Sequence, residues 1–134
     1  RHPLSLALMF ALAVPMAALA AADKKDAEPK WDVSAAHGKT KTVRFTTDEG
    51  TWLDVDVSPD GQRIAFSLLG DLYLLPIDGG KAQRVSKGPA WDVQPRFSPD
   101  GRQLLFTSDR GGGNNLWRMD VDGKNPSQIT KEDY

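Results

Sequence analysis

The chain of 134 residues contains no cysteine. Disulfides, thiolate metal sites and thiol nucleophiles are therefore excluded. A lipid-attached cysteine behind a leader is excluded too. Histidine is scarce, with only His2 and His37. His2 lies ahead of an apolar leader, so no histidine pair remains for a zinc site. His37 stands beside Gly38 in a polar stretch and reads as a solvated linker residue. No G-x-S-x-G elbow occurs, and no histidine lies near Ser58 or Ser98 to serve as a base. Neither charge sign dominates: 17 basic and 18 acidic residues give a net charge of -1. Without a cationic stripe, nucleic acid is not an expected partner. Behind the leader, no stretch keeps an apolar spacing near 3.6 without a glycine or proline, which argues against helices.

One long hydrophobic run is present. Residues 3–22 carry no charge and end in Ala18-Leu19-Ala20-Ala21-Ala22, directly before Asp23-Lys24-Lys25-Asp26. Small residues closing an apolar core are what a signal peptidase reads. We expect residues 1–22 to be a signal peptide, cut after Ala20 or Ala22, with no stable membrane insertion afterwards. A retained anchor is the alternative, since the run could just span a bilayer. The expected location is periplasmic or secreted. Only Arg1 and His2 precede the run, so the natural start is expected to lie upstream. Residues 23–38 read as a flexible lead-in, and Trp31 and Val33 within it are expected to dock on the folded part.

What the chain has in plenty is β-repeat. Ser58-Pro59-Asp60-Gly61 returns forty positions later as Ser98-Pro99-Asp100-Gly101. Each copy fits a type I turn, with proline second, aspartate third and glycine fourth. An apolar strand follows each, then a glycine turn, an aromatic-bearing strand and a second glycine turn. A repeat of about forty residues with four strands is the signature of a propeller blade. The expected fold is all-β: a partial β-propeller over residues 39–134, with blade units at about 51–88 and 91–130. Alternation of Val43 and Phe45 with Thr42, Arg44 and Thr46 predicts one extra strand over 39–47. A blade buries its faces only against neighbours. Further blades are therefore expected beyond Tyr134.

Ser58 and Ser98 are expected to satisfy local backbone groups, and Asp60 and Asp100 to form turns. Asp54 and Asp56 share a strand face and could line a channel or meet a cation. Neither they nor Asp120 and Asp122 have calcium-loop spacing. Trp52, Tyr73, Trp91 and Trp117 recur at matching places and are expected to pack between blades. Asp109 and Arg110 lead a glycine-rich loop, and either pair with each other or contact a neighbouring domain. No catalytic, cofactor-binding or metal-binding residue is assigned in this chain.

The Ser-Pro-Asp-Gly units, Ser108-Asp109-Arg110 and Leu116-Trp117 resemble the PD40 (WD40-like) repeats of TolB-like β-propellers over residues 40–131. A narrower order, Glu49-Gly50-Thr51-Trp52, Val55-Asp56-Val57, Leu68-Leu69-Gly70-Asp71-Leu72-Tyr73, Pro76-Ile77 and Gly79-Gly80, resembles the front of exported metal-dependent amidohydrolases. That resemblance implies a hydrolase of C–N bonds in amides or cyclic amides. Its catalytic domain would lie downstream and hold a divalent metal such as zinc. This chain would be its non-catalytic propeller, shielding or stabilising that domain, with the downstream blades and catalytic domain as partners. Two other readings stand beside it. One is a periplasmic TolB-like propeller that binds protein partners; the other is the propeller cap of a prolyl-oligopeptidase-type serine peptidase.

Overall fold

The computed structural model describes residues 32–33 and 35–132. The expected signal peptide, most of the lead-in and Trp31 lie outside the described residues. Val33 is half-buried.

Eight strands form two antiparallel four-stranded sheets. The first holds β1 (Val55–Val57), β2 (Arg63–Leu68), β3 (Asp71–Pro76) and β4 (Gln83–Arg84), paired in chain order. The second repeats it with β5 (Asp92–Phe97), β6 (Gln103–Ser108), β7 (Asn115–Asp120) and β8 (Ser127–Gln128). These are two blades of a propeller, as the repeat predicts.

The Ser-Pro-Asp-Gly turns work as their chemistry requires. The Gly61 N–H donates to the Ser58 carbonyl at 2.8 Å, and Gly101 to Ser98 at 2.8 Å. The serine hydroxyl in each turn donates to its own aspartate. It also accepts the backbone N–H opening the next strand, at 2.9 Å from Arg63 and 2.9 Å from Gln103. Each turn thereby fixes where β2 and β6 start.

The core lies between the two sheets. Ala65, Leu72 and Val85 come from the first and Leu104, Phe106 and Met119 from the second. The strict alternation of strands places these on facing sides. Phe66 and Tyr73, cross-strand partners on the other face of the first sheet, stack at 5.4 Å.

The structure corrects three expectations. Residues 39–47 form no strand, and Val43 and Phe45 are 64% and 65% exposed. Alternation gave that segment an apolar side, but among the described residues no neighbouring strand supplies a ladder. The outer strands, for which the apolar centres Val85 and Ile129 predict residues 82–86 and 126–130, are only two residues long as β4 and β8. Trp52 and Trp91 are not buried between blades: they are 98% and 56% exposed. Both stand ahead of the innermost strands, and Trp91 lays one edge of its ring on Gly70 of the first blade while the rest stays in water. Trp117 and Tyr73 are half-buried, and Trp117 packs against the core.

Candidate functional site

Short polar side chains in this chain are engaged largely in holding the blades. Asp56 does not point at a free channel. Its carboxylate accepts the Phe97 N–H at 2.8 Å, across the join between blades. In return Arg96 of β5 donates to the Val55 carbonyl at 2.9 Å. The two innermost strands are thus stapled in both directions. Asp54 accepts from the Ser67 hydroxyl at 3.4 Å. Asp120 accepts from Asn125 at 2.7 Å, and Asp122 pairs with Lys124 at 2.6 Å. His37 is exposed, with its ring nitrogen 2.5 Å from the Asp32 carbonyl oxygen. Among the described residues no three His, Cys, Asp or Glu side chains converge as metal ligands. The zinc that the amidohydrolase resemblance implies would belong to the expected downstream domain and not to these residues.

Sequence reasoning left Arg110 unplaced and missed its partner. Arg110 pairs with Asp92, whose side chain is 1% exposed, and donates to the Ser108 hydroxyl at 3.0 Å. Its guanidinium also lies over the rings of Phe106 and Trp117, at 5.3 and 5.4 Å from their centroids. The aromatic faces and the carboxylate together compensate the buried cation. Burial pushes the Asp92 carboxyl above its ordinary value, against the pull of Arg110 and Ser108. Asp109 turns the other way and accepts the Trp91 N–H at 2.8 Å. The adjacent Asp92 N–H donates to the Gly70 carbonyl of the first blade at 2.9 Å. No local pattern signals the Asp92–Arg110 pair, because 18 positions separate the two.

The two ends of the sheets differ in character. One rim carries Trp52, Leu53, the Leu69-Gly70 turn, Trp91 and the 109–113 loop. Here Trp52, Leu69 and Trp91 are more than half exposed. The opposite rim is built from the Ser-Pro-Asp-Gly turns, Asp78-Gly79-Gly80 and Asp122-Gly123-Lys124. It is mainly polar, with Val57 and Ile77 49% and 41% exposed.

The profile of PD40, the TolB beta propeller domain, matches residues 21–134. The chain belongs to this TolB propeller family. An uncharacterized protein of Agrobacterium fabrum is 36% identical over 81 residues, covering 58% of this chain and 28% of that protein. The Tol-Pal system protein TolB of Bordetella pertussis is 39% identical over 56 residues, 41% of this chain and 13% of its own length. A solved TolB-type structure from Agrobacterium tumefaciens superposes with a TM-score of 0.57 at 31% identity. It covers 63% of this chain and 32% of its own. The chain therefore spans a third or less of each of these relatives.

Proposed function

We propose that this chain is the non-catalytic propeller portion of an exported protein, and that it acts by binding protein partners in the periplasm. The observation that carries the reading is the rim on which Leu69 and Trp91 stand more than half exposed. Large apolar side chains gathered in water at one rim are a mark of protein association. Kinship with TolB, named for the Tol-Pal system, and the leader-like residues 1–22 support a place in the cell envelope.

The reading as leader of an amidohydrolase rests on the order of Glu49-Gly50-Thr51-Trp52 and the motifs after it. In that case the same rim would face the catalytic domain, and the C–N hydrolysis would belong wholly to that domain.

Two measurements test the proposal together. The purified chain is assayed on amide and cyclic amide substrates, with and without added zinc. No turnover is expected, and metal-dependent turnover that survives His37→Ala overturns the non-catalytic assignment. A photo-crosslinking residue is then placed around the surface and activated in a Gram-negative envelope. Discrete protein adducts are expected. Uniform absence of adducts at every position overturns the binding role.

A further inference from the structure

The turn between β2 and β3 breaks a rule of hairpin chemistry. Leu68 pairs with Asp71, so Leu69 and Gly70 form a two-residue loop. Both have left-handed φ, 54° and 80°. Such a turn favours Asn-Gly, because asparagine tolerates that conformation and a leucine does not. Here the first place holds leucine, and its side chain is 70% exposed. Neither local propensity nor burial explains that choice. A strained residue whose side chain gains nothing inside the fold points to a use outside it.

Its surroundings share the character. The Trp91 indole lies on Gly70, so close that a Cβ there would be 2.6 Å from the ring. The rest of Trp91 is open to water. Trp52 stands at the equivalent place of the first blade, with φ of 55°. Carboxylates stand beside these side chains, with Lys39, Lys41 and Arg44 earlier on the segment that leads to two of them. Asp109 holds the Trp91 N–H, and Asp48 and Glu49 precede Gly50, which abuts Leu53 and Leu68. None of the three carboxylates belongs to an ion pair among the described residues. Arg110 is neutralised by Asp92 and Arg84 by Asp71. Lys87, beyond Ser86, is the cation near the outer edge.

The geometry points to this rim as a docking surface for a partner protein segment that presents aliphatic side chains next to lysine or arginine. The aliphatic groups pack on Leu69 and Trp91. The cation meets the carboxylates and the indole faces. This inference rests on the binding role proposed above and adds the residues and the partner's chemistry.

A displayed library of random peptides, panned on the full chain, tests it. Enriched peptides are expected to combine Leu, Ile or Val with Lys or Arg. Leu69→Asn is expected to weaken them about tenfold, as loss of an interface anchor does. The same substitution should keep or raise the melting temperature, since asparagine suits the turn. Weaker binding with undiminished stability is a combination that a purely structural role for Leu69 does not give. Glu49→Gln should lower affinity about twofold to threefold and flatten its salt dependence. Lys81→Gln, on the opposite rim, should change nothing. Peptides that bind Leu69→Asn as tightly as the parent but fail on Lys81→Gln overturn this rim and leave the binding role standing. An acidic consensus overturns the partner chemistry. No enriched peptide on any variant overturns the binding role and this inference together.

Discussion

In the first blade Leu53 and Leu68 meet beside Gly50. At the same two places the second blade has Asp92 and Ser108, with Arg110 reaching in between Phe106 and Trp117. The equivalence runs through a bulge. Between Val93 and Arg96 the β5–β6 register slips by one, and Gln94 takes a φ of 56°. Trp52 and Trp91 are therefore equivalent although they stand 39 positions apart and the Ser-Pro-Asp-Gly turns 40. One backbone thus accommodates an apolar contact in one copy and a buried ion pair in the other. The outer edges differ in the same spirit. Asp71 accepts from the Ser86 hydroxyl in the first blade, and Asn115 accepts from Thr130 in the second. Each hydroxyl also takes the N–H that starts its strand, at 2.9 Å in both. The geometry of these joints is the constant, and the charge that fills them varies.

The largest effect should come from breaking the buried pair on one side only. Arg110→Ala leaves the Asp92 carboxylate without its cation, at a cost of about 3–5 kcal/mol. Replacing Asp92, Ser108 and Arg110 together with Leu, Leu and Met imports the apolar solution of the first blade. That triple change should recover most of the loss, since packed apolar groups commonly match a buried ion pair. Urea unfolding of the three proteins checks this. A triple variant as unstable as Arg110→Ala would mean that the ion pair itself, rather than its disruption, holds the blade.

Next come two glycines that look alike in sequence. Asp78-Gly79 and Asp122-Gly123 are equivalent turns with φ of 86° and 84°. A Cβ on Gly79 meets nothing within 4 Å, while one on Gly123 overlaps the Val85 carbonyl oxygen of the first blade. Gly79→Ala should cost about 1–2 kcal/mol, from the left-handed backbone alone. Gly123→Ala adds the overlap with a backbone atom and should cost about 1–3 kcal/mol more. Equal melting temperatures for the two variants would show that the second turn does not lean on the first blade.

Asp56 lies one step lower. Its carboxylate accepts a backbone N–H from the other blade, and bonds to charged groups of this kind contribute about 1.5–3 kcal/mol. Asp56→Ala should fall within or below that range, because Asp56 is half-exposed. Amide exchange at Phe97 should speed up with it. Unchanged exchange there would remove the staple from the account.

These contrasts also mark what was legible in the chain. The turns, strand order and blade count follow from Ser58-Pro59-Asp60-Gly61 and its copy, because turn chemistry is local. The roles of Ser58, Ser98, Asp60 and Asp100 follow for the same reason. The strand expected at 39–47 did not form, since alternation describes one segment and a ladder requires two. Trp52 and Trp91 were expected to pack between blades because they recur at matching places of the two units. Their places ahead of β1 and β5 leave them at the rim instead. The Asp92–Arg110 pair was invisible for want of a tertiary register. One clue to the exposed rim was present: Leu69 before Gly70 is the wrong residue for the turn that its neighbours demand.

The smallest effect is the response to acid, and it sets the turns against the buried pair. Hydrogen bonds from Ser58 and Ser98 hold the Asp60 and Asp100 carboxyls below the ordinary 3.8. A depressed acid contributes stability that is present above the unfolded value and lost as the pH falls through the folded one. The Asp92 carboxyl is raised above 3.8 by burial. Its folded form takes up a proton first, so acidification from its raised value down to 3.8 favours the folded state at that group. The two signs oppose each other, and the turns act at lower pH than Asp92. The Asp60→Asn, Asp100→Asn double variant should therefore lose less stability than the parent on going below pH 3.8. Asp92→Asn should differ from the parent above that pH, where it should lack the gain on acidification that the raised carboxyl gives the parent. Denaturant midpoints measured across the carboxylate range decide it. If Asp92→Asn follows the parent at every pH, the buried carboxyl does not titrate in the folded blade and Arg110 alone governs its charge.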